Sequence, residues 1–301
     1  MSQFRQRRIE TFKEKNKNRG RLLIGCPDQP GIIASVSNFL YEKGANIVES
    51  NQYTTDPVGG LFFLRIEFEI ENLEEREGEL EEAFAPIAEK FSMNWRISYA
   101  YHIKKMAIFV SKEEHCLLEL LWEWQAGELM ADISLVISNH EMMRDTVEAM
   151  QIPYKYLPVT KDTKKEVEQQ QLTMMEEQEI EVIVLARYMQ ILSPDFVEAH
   201  PNRIINIHHS FLPAFVGAKP YERAYERGVK LIGATSHYVT DDLDEGPIIE
   251  QDVERVNHKD HAEDLKRIGR HVERSVLARA VKWHLQDRVI VHGNKTIVFS
   301  K

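Results

Sequence analysis

The stretch R-I-I-N-I-H-H-S, Arg203–Ser210, decides how the longer, C-terminal part of this chain should fold. Isoleucines crowd its first half, and such an apolar, β-branched run predicts a strand that is buried on both faces. Ile180–Ala186 has the same character. Further strands are predicted at Met106–Val110, Ile133–Ser138, Tyr154–Val159 and Leu231–Val239, helices at Cys116–Trp124, Lys164–Gln178 and His261–Leu285, and a hairpin at Val289–Val298. This alternation predicts a Rossmann-like α/β domain with a mostly parallel sheet covered by helices.

The same strand ends in polar side chains. Asn206 and His208 are two positions apart, so they leave a strand on one face, and Asp244 follows in an acidic turn before Gly246-Pro247. An amide donates hydrogen bonds to an oxyanion. An imidazole donates too, or protonates a leaving nitrogen, and a carboxylate holds the imidazole protonated or takes a proton from water. These residues form a minimal set for attack on a formamide carbonyl; the plainer alternative is a capped strand end and an ordinary turn aspartate.

The N-terminal part of the chain shows a different order of predicted strands and helices. Residues 1–20 form a polar leader that we expect to be solvated, with a polyanion-binding arm as the alternative. Residues 21–101 predict the order βαββαβ of a ferredoxin-like domain. Its strands are Arg21–Gly25, Asn46–Thr55, Leu61–Phe68 and Trp95–Tyr101, and its helices carry the apolar residues that follow Ile32 and Leu73. A linker near Tyr101–Lys105 precedes the α/β domain, which we assign to residues 102–301.

Composition and charge exclude several classes of function. The 301 residues carry a formal net charge of −10, which argues against nucleic acid as the main partner because phosphate binding needs a basic surface. Cys26 and Cys116 have no paired spacing, so neither a disulfide framework nor a zinc site is predicted and a cytoplasmic location is expected. No apolar run reaches the roughly 20 residues that cross a bilayer, and the polar N-terminus predicts no secretory signal. No metal is expected at His258, His261 and His271, whose spacing does not form one helix face.

The N-terminal domain resembles an ACT domain, a small effector-binding module. The resemblance rests on C-P-D-Q-P-G-I-I (Cys26–Ile33) and G-A-N-I-V (Gly44–Val48). It implies an amino-acid effector, glycine or methionine, held by Asp28, Gly31 and Asn46 where two modules pair in a homo-oligomer, a dimer or a tetramer. The exposed N–H groups at a helix start suit a carboxylate. The alternative is a packing and oligomerisation module that binds nothing.

The α/β domain resembles the formyltransferase superfamily that uses 10-formyltetrahydrofolate. The basis is N-I-H-H-S-F-L-P, then H-Y-V-T-D-D-L-D-E-G-P-I-I. The resemblance implies that Asn206, His208 and Asp244 are the catalytic triad. Leu185–Ser193 resembles the superfamily's folate loop. The folate contacts that the resemblance implies are Met189, Gln190, Ile191, Leu192, Val239, Thr240 and Asp241, and His209 and His237 are supporting candidates. The alternative for Met189–Leu192 is ordinary core.

From Arg21 to its end the chain resembles the formyltetrahydrofolate deformylase family, and the polar leader is its least family-like part. Specific stretches are V-S-K-E-E-H-C-L-L-E-L-L-W (Val110–Trp122), I-S-N-H (Ile137–His140), and N-I-H-H-S-F-L-P-A-F followed by G-A-K-P-Y (Asn206–Tyr221). The resemblance implies hydrolysis of 10-formyltetrahydrofolate to tetrahydrofolate and formate, with no cofactor besides this substrate. It also implies a role in one-carbon metabolism and purine biosynthesis, as a source of formate.

Water is the expected acceptor of the formyl group. The loop Ser111–Cys116 follows the first strand of the α/β domain, contains no glycine and carries two carboxylates. In the glycinamide ribonucleotide transferase that the domain resembles, a glycine-rich loop at this position receives the phosphate of the amine acceptor, and the loop of this chain suits a phosphate poorly. Two alternatives stay open: a formyltransferase with an unrecognised amine acceptor, and a folate-binding or amino-acid-sensing protein without turnover. The group that holds the water is expected among His209, His237 and Asp244.

Overall fold

The computed structural model describes residues 3–56, 58–214 and 220–300. Residues 217–219 of the G-A-K-P-Y motif and the first two residues of the leader lie outside this range. The chain divides into two compact units. The first comprises the residues up to Ile103, Gln286–Ile290 and the residues from Ile297 onward, and the second comprises Lys104–Leu285 and Val291–Thr296.

The first unit is built on a four-stranded antiparallel sheet. Its elements are α1 (Gln3–Asn16), β1 (Arg19–Pro27), α2 (Ile32–Glu42), β2 (Asn46–Thr54), β3 (Leu61–Glu69), a 3₁₀ turn (Leu73–Glu75), α3 (Glu77–Lys90) and β4 (Asn94–Tyr99). The strand order is β2-β3-β1-β4, and every pair is antiparallel. After α1 this is the predicted βαββαβ order. Its core forms because α2 and α3 each present an apolar stripe, including Val36, Leu40, Leu80 and Phe84, to the buried side of the sheet.

The second unit contains a seven-stranded sheet. Its elements are β5 (Lys105–Val110), α4 (His115–Ala126), β6 (Asp132–Ser138), α5 (Arg144–Ala149), β7 (Tyr154–Tyr156), α6 (Lys164–Glu177), β8 (Val182–Ala186), α7 (Pro194–Glu198), β9 (Ile204–His208), α8 (Pro220–Arg227), β10 (Leu231–Tyr238), β11 (Ile248–Arg255) and α9 (Ala262–Leu285). The hairpin strands β12 (Val289–His292) and β13 (Lys295–Val298) follow. Among the described residues, no helix is both long and apolar enough to span a membrane.

The sheet of the second unit is mostly parallel, as predicted. Its order is β11-β10-β9-β8-β5-β6-β7. The pairs from β7 to β9 are parallel, whereas β10 runs antiparallel to β9 and β11 runs antiparallel to β10. β11 is absent from the prediction because its half-polar sequence, I-I-E-Q-D-V-E-R, lacks the apolar run of a central strand. The short helices α5, α7 and α8 were also missed. α5 and α7 are too brief to show a clear period, whereas the amphipathic pattern of α8 was overlooked.

The segment Gln286–Ile290 belongs to the first unit, and the contacts of Asp287 tie it there electrostatically. The buried carboxylate of Asp287 lies 2.6 Å from Nη1 of Arg96 and 3.2 Å from Nη1 of Arg21. Its backbone carbonyl accepts a hydrogen bond of 3.0 Å from Nε of Arg65, which is fully buried. A buried charge needs such partners. The division therefore differs from the one drawn from the sequence, which assigned this segment to the α/β domain.

Candidate active site

The three residues expected to form a triad meet at one edge of the seven-stranded sheet. Asn206 and His208 lie on β9, and Asp244 lies in the loop between β10 and β11 with a left-handed φ of 59°. Oδ2 of Asp244 is 3.2 Å from Nδ1 of His208, and Oδ1 is 3.6 Å from Nε2 of His237. Nδ2 of Asn206 is 3.2 Å from the same His237 nitrogen. The antiparallel pairing of β10 with β9 places His237 directly opposite Asn206.

The hydrogen-bond partners assign the protons. Nδ1 of His237 lies 2.9 Å from the carbonyl oxygen of Tyr238, which only accepts, so Nδ1 carries the proton. In the neutral ring Nε2 is then bare and accepts from Asn206, whose second N–H stays available to a ligand. Nδ1 of His208 donates to Asp244. Nε2 of His208 is buried and has no hydrogen-bond partner within the described ranges.

Asp244 is ionised in this arrangement. Burial raises the pKa of its carboxyl group, but its interactions with the neighbouring imidazoles, the hydrogen bond from His208 foremost, outweigh that effect and lower the pKa well below its ordinary value. A carboxylate with a lowered pKa is a weak base toward water and a good partner for a positive charge on His208. Of the two roles expected for Asp244, holding a protonated His208 fits the geometry better than taking a proton from water.

A cavity of about 430 Å³ opens beside the triad. It is lined by the end of β8 and the loop that follows it, by β9, and by the loop after β10. All the expected folate contacts line it, namely Met189, Gln190, Ile191, Leu192, Val239, Thr240 and Asp241. Ile191 is 60% exposed and Leu192 only 9%. Ile191 thus offers an apolar surface to a ligand. Leu192 packs in the core, as the alternative interpretation of Met189–Leu192 predicted.

His209 also lines the cavity and is neutral. Burial and then the nearby positive charge of Arg187 lower the pKa of its ring to about 3. A neutral imidazole accepts a hydrogen bond through its bare nitrogen but supplies no proton as an acid near neutral pH. His209 is therefore suited to orient a water molecule rather than to protonate a leaving group.

A buried polar cluster that sequence reasoning missed lies next to this cavity. Its centre is Glu273 on α9, which is 1% exposed. Oε2 of Glu273 accepts a hydrogen bond of 2.8 Å from Nε2 of His115 and lies 3.4 Å from Nε of Arg187, and Oε1 accepts one of 2.5 Å from the hydroxyl of Tyr221. Despite burial, the His115 hydrogen bond and the charge of Arg187 lower the pKa of Glu273 to about 2. The sequence did contain one signal of this cluster, a glutamate on the apolar face of a long predicted helix.

This cluster includes a group of possible metal ligands. Ligand atoms of His115, Cys116 and Glu273 lie within 4.8 Å of one another. Both oxygens of Glu273 already accept hydrogen bonds, and Arg187 supplies a cation beside them. Burial raises the pKa of the Cys116 thiol, so it is not the thiolate that binds metals. The group fits a metal poorly, and the expectation of no metal stays a prediction.

Within one chain, the three residues expected to bind an effector do not all lie together. Oδ2 of Asp28 accepts a hydrogen bond of 2.7 Å from Thr54, at the last residue of β2. Gly31 precedes α2 with φ 94°, and no side chain caps the helix there. Asn46 is the first residue of β2. At about 3.3 Å per residue it lies on the order of 25 Å from Thr54. Asp28 and Gly31 thus share one turn, and Asn46 is at the other end of the sheet.

Comparison with known proteins defines the class. The family model described as formyl transferase matches residues 104–281, and the model described as ACT domain matches residues 20–85. The crystal structure of a glycinamide ribonucleotide transformylase from Symbiobacterium toebii resembles this chain, with TM-score 0.62 and 27% identity over 65% of this chain and 94% of that one. The chain therefore combines an ACT domain with a formyltransferase domain.

Relatives that match along their full length narrow the class of protein to one family. A formyltetrahydrofolate deformylase from Bacillus subtilis is 66% identical over 300 residues, which cover 100% of both chains. The crystal structure of a formyltetrahydrofolate deformylase from Pseudomonas syringae has TM-score 0.88 and 49% identity over 94% of each chain. The chain belongs to the formyltetrahydrofolate deformylase family.

Proposed function

We propose that this protein hydrolyses 10-formyltetrahydrofolate to tetrahydrofolate and formate at Asn206, His208 and Asp244. The relatives carry the name of that activity. The observation that carries the site assignment is the 3.2 Å contact of Nδ1 of His208 with the carboxylate of Asp244, which leaves Nε2 of His208 unpartnered among the described residues at the cavity.

The geometry suggests how each group acts. The free N–H of Asn206 and the protonated Nε2 of His208 donate to the formyl oxygen and stabilise the negative charge that it gains as water attacks. As its oxygen bonds to the formyl carbon, the water loses one proton to the solvent. When the C–N bond breaks, the nitrogen keeps the electron pair and takes the proton of His208, which the solvent then reprotonates. Asp244 stabilises the positive charge on His208 until that transfer. The product acid then loses its proton and leaves as formate.

The water needs a hydrogen-bond acceptor atom that is not already engaged with another residue. His209 meets this need, because its ring is neutral and lines the cavity. The bare nitrogen of His237 is already taken up by Asn206, and Asp244 is engaged with His208. We therefore assign the positioning of the attacking water to His209.

The folate is proposed to lie against the loop of Met189–Leu192 and the backbone of Val239–Asp241. A cavity of about 430 Å³ falls in the range of small-molecule sites, roughly 300–1,000 Å³. The exposed side chains of Met189 and Ile191 would lose their contact with water on binding, which favours an aromatic ring system such as a pterin.

Release of formate from 10-formyltetrahydrofolate, with no amine present, is the deciding test. We expect the purified protein to release formate and tetrahydrofolate in equal amounts, and the variant His208→Ala to lose most of this activity. Formyl transfer that occurs only after an amine is added would instead support the formyltransferase alternative. Stoichiometric folate binding without any turnover would support the binding-protein alternative.

The first unit is proposed to regulate the enzyme. ACT domains are effector modules, and Asp28 and Gly31 frame the start of α2, where free N–H groups suit an amino-acid carboxylate. Because Asn46 lies far from them in one chain, a site with all three residues requires two modules paired in a homo-oligomer. The proposed effectors are glycine and methionine, and the proposed location is the cytoplasm. If no amino acid changes the turnover rate of the full-length protein, this domain has only a structural role.

A further inference from the structure

Arg187 lies where the chain leaves β8, the neighbour of the strand that holds Asn206 and His208. Its φ of 63° is left-handed backbone, which residues with a side chain seldom adopt. Its carbonyl oxygen accepts a hydrogen bond of 3.3 Å from the Ser111 amide, and Arg187 lines the catalytic cavity. The turn therefore places a permanent positive charge beside the triad.

The guanidinium of Arg187 has donors that the surrounding protein does not use. Nε and Nη1 are buried, and neither has a hydrogen-bond partner in the part of the chain that the structure describes. Glu273 forms an ion pair with Nε at 3.4 Å, so Nη1 is the donor for which the described residues provide no acceptor. A buried donor without an acceptor is costly, so Nη1 indicates an acceptor that comes with a ligand.

The charge around the cavity indicates what that ligand is. Arg187 is the only arginine or lysine among the described residues that line it, and the carboxylates of Asp241 and Asp244 line it too. An anion formed beside Asp244 is repelled there and attracted toward Arg187. The proposed reaction forms such an anion: the water oxygen bonds to the formyl carbon, the C–N bond breaks, the nitrogen takes a proton, and formic acid loses its proton to become formate.

Formate matches the donors that are available. It is flat and has two carboxylate oxygens, and guanidinium groups bind carboxylates with charge-assisted hydrogen bonds. Building on the proposed function, we propose that Arg187 is the anion subsite of the catalytic cavity and receives formate as it leaves the reaction centre. Glu273 then positions the guanidinium without neutralising it fully, because its charge is shared with His115.

Direct binding of formate tests this subsite apart from turnover. The linewidth of ¹³C-formate is followed by NMR as the protein, saturated with tetrahydrofolate, is titrated into it. The variants are Arg187→Met, Arg187→Lys and, as a control, Arg270→Met, which removes an exposed α9 arginine that pairs with Glu113. We expect Arg187→Met to weaken formate binding by about tenfold or more, since a charge-assisted contact is lost, Arg187→Lys to retain part of it, and Arg270→Met to match the wild type. Circular dichroism and folate binding check that each variant is folded.

The outcomes separate the subsite from the proposed function. Equal formate binding by the wild type and Arg187→Met would overturn the subsite, as would displacement of formate by an equal concentration of chloride. A wild-type protein that deformylates its substrate but does not bind formate would overturn the subsite alone. Formate binding that depends on Arg187, in a protein that releases no formate from 10-formyltetrahydrofolate, would support the subsite and overturn the proposed function. If Arg187→Met does not fold, the wild-type and Arg187→Lys titrations decide.

Discussion

Replacing Asp244 by asparagine should remove the charge that supports His208 and little else. Asparagine has the same shape and, like aspartate, tolerates the left-handed φ of 59° found at this position. Its side-chain oxygen can still accept from Nδ1 of His208, now 3.2 Å from Oδ2 of Asp244. The change therefore converts a charge-assisted hydrogen bond into a neutral one without straining the loop.

The expected size of the effect follows from this contact. Two unit charges 3.2 Å apart attract by about 5 kcal/mol at an effective dielectric constant of about 20, which is an upper limit because part of the interaction survives in asparagine. A hydrogen bond to a charged group contributes about 1.5–3 kcal/mol. At about 1.4 kcal/mol per factor of ten, we expect kcat to fall roughly 10- to 150-fold.

The assay is steady-state release of formate by the wild type, Asp244→Asn and a control variant, Asp242→Asn. Asp242 is an exposed residue of the same loop, so its substitution removes an equal charge away from the triad. Binding of a non-hydrolysable folate analogue should change little in either variant, because the lost interaction acts mainly in the transition state. If Asp244→Asn retains the kcat of Asp242→Asn while folded, the role assigned to Asp244 is wrong.

Three further predictions follow from the same structure. Asn206→Ala should lower kcat by roughly 10²–10³ through loss of an oxyanion donor, and single-turnover kinetics with unchanged folate affinity would support this. Ile191→Asp should leave the melting temperature unchanged, since Ile191 is 60% exposed, yet weaken folate binding in a fluorescence titration; unchanged affinity would remove this loop from the site. Gly269→Ala should destabilise the protein by about 1–3 kcal/mol, because the new Cβ would collide with the Tyr221 hydroxyl. Gly78→Ala, a helix position with open space, is its control, and equal denaturation midpoints would refute the argument.

Local sequence carries much of the fold and part of the site. The period of strands and helices predicts the βαββαβ order of the first unit and the alternation of the second, because each depends on which side of one element is apolar. The same period places Asn206 and His208 on one face of β9. The motifs around them resemble a known family closely enough to imply Asp244 as their partner.

Other features depend on contacts between distant parts of the chain. The antiparallel direction of β10 brings His237 opposite Asn206, and nothing in the strand's own composition states its direction. The cluster around Glu273 joins residues from the start of α4, the end of β8, α8 and α9, none of which is unusual alone. The ionisation states of Asp244 and His209 follow from burial and from neighbouring charges.

The sequence by itself determined which elements form and which residue types are available for formyl chemistry. The tertiary structure alone decided how those residues are charged and paired, and which buried donors, those of Arg187 above all, were left for a ligand. The physical reason is the distance over which each effect acts. Periodicity and turn chemistry act over a few residues, whereas desolvation and ion pairing depend on every group within several ångströms, whatever its place in the chain.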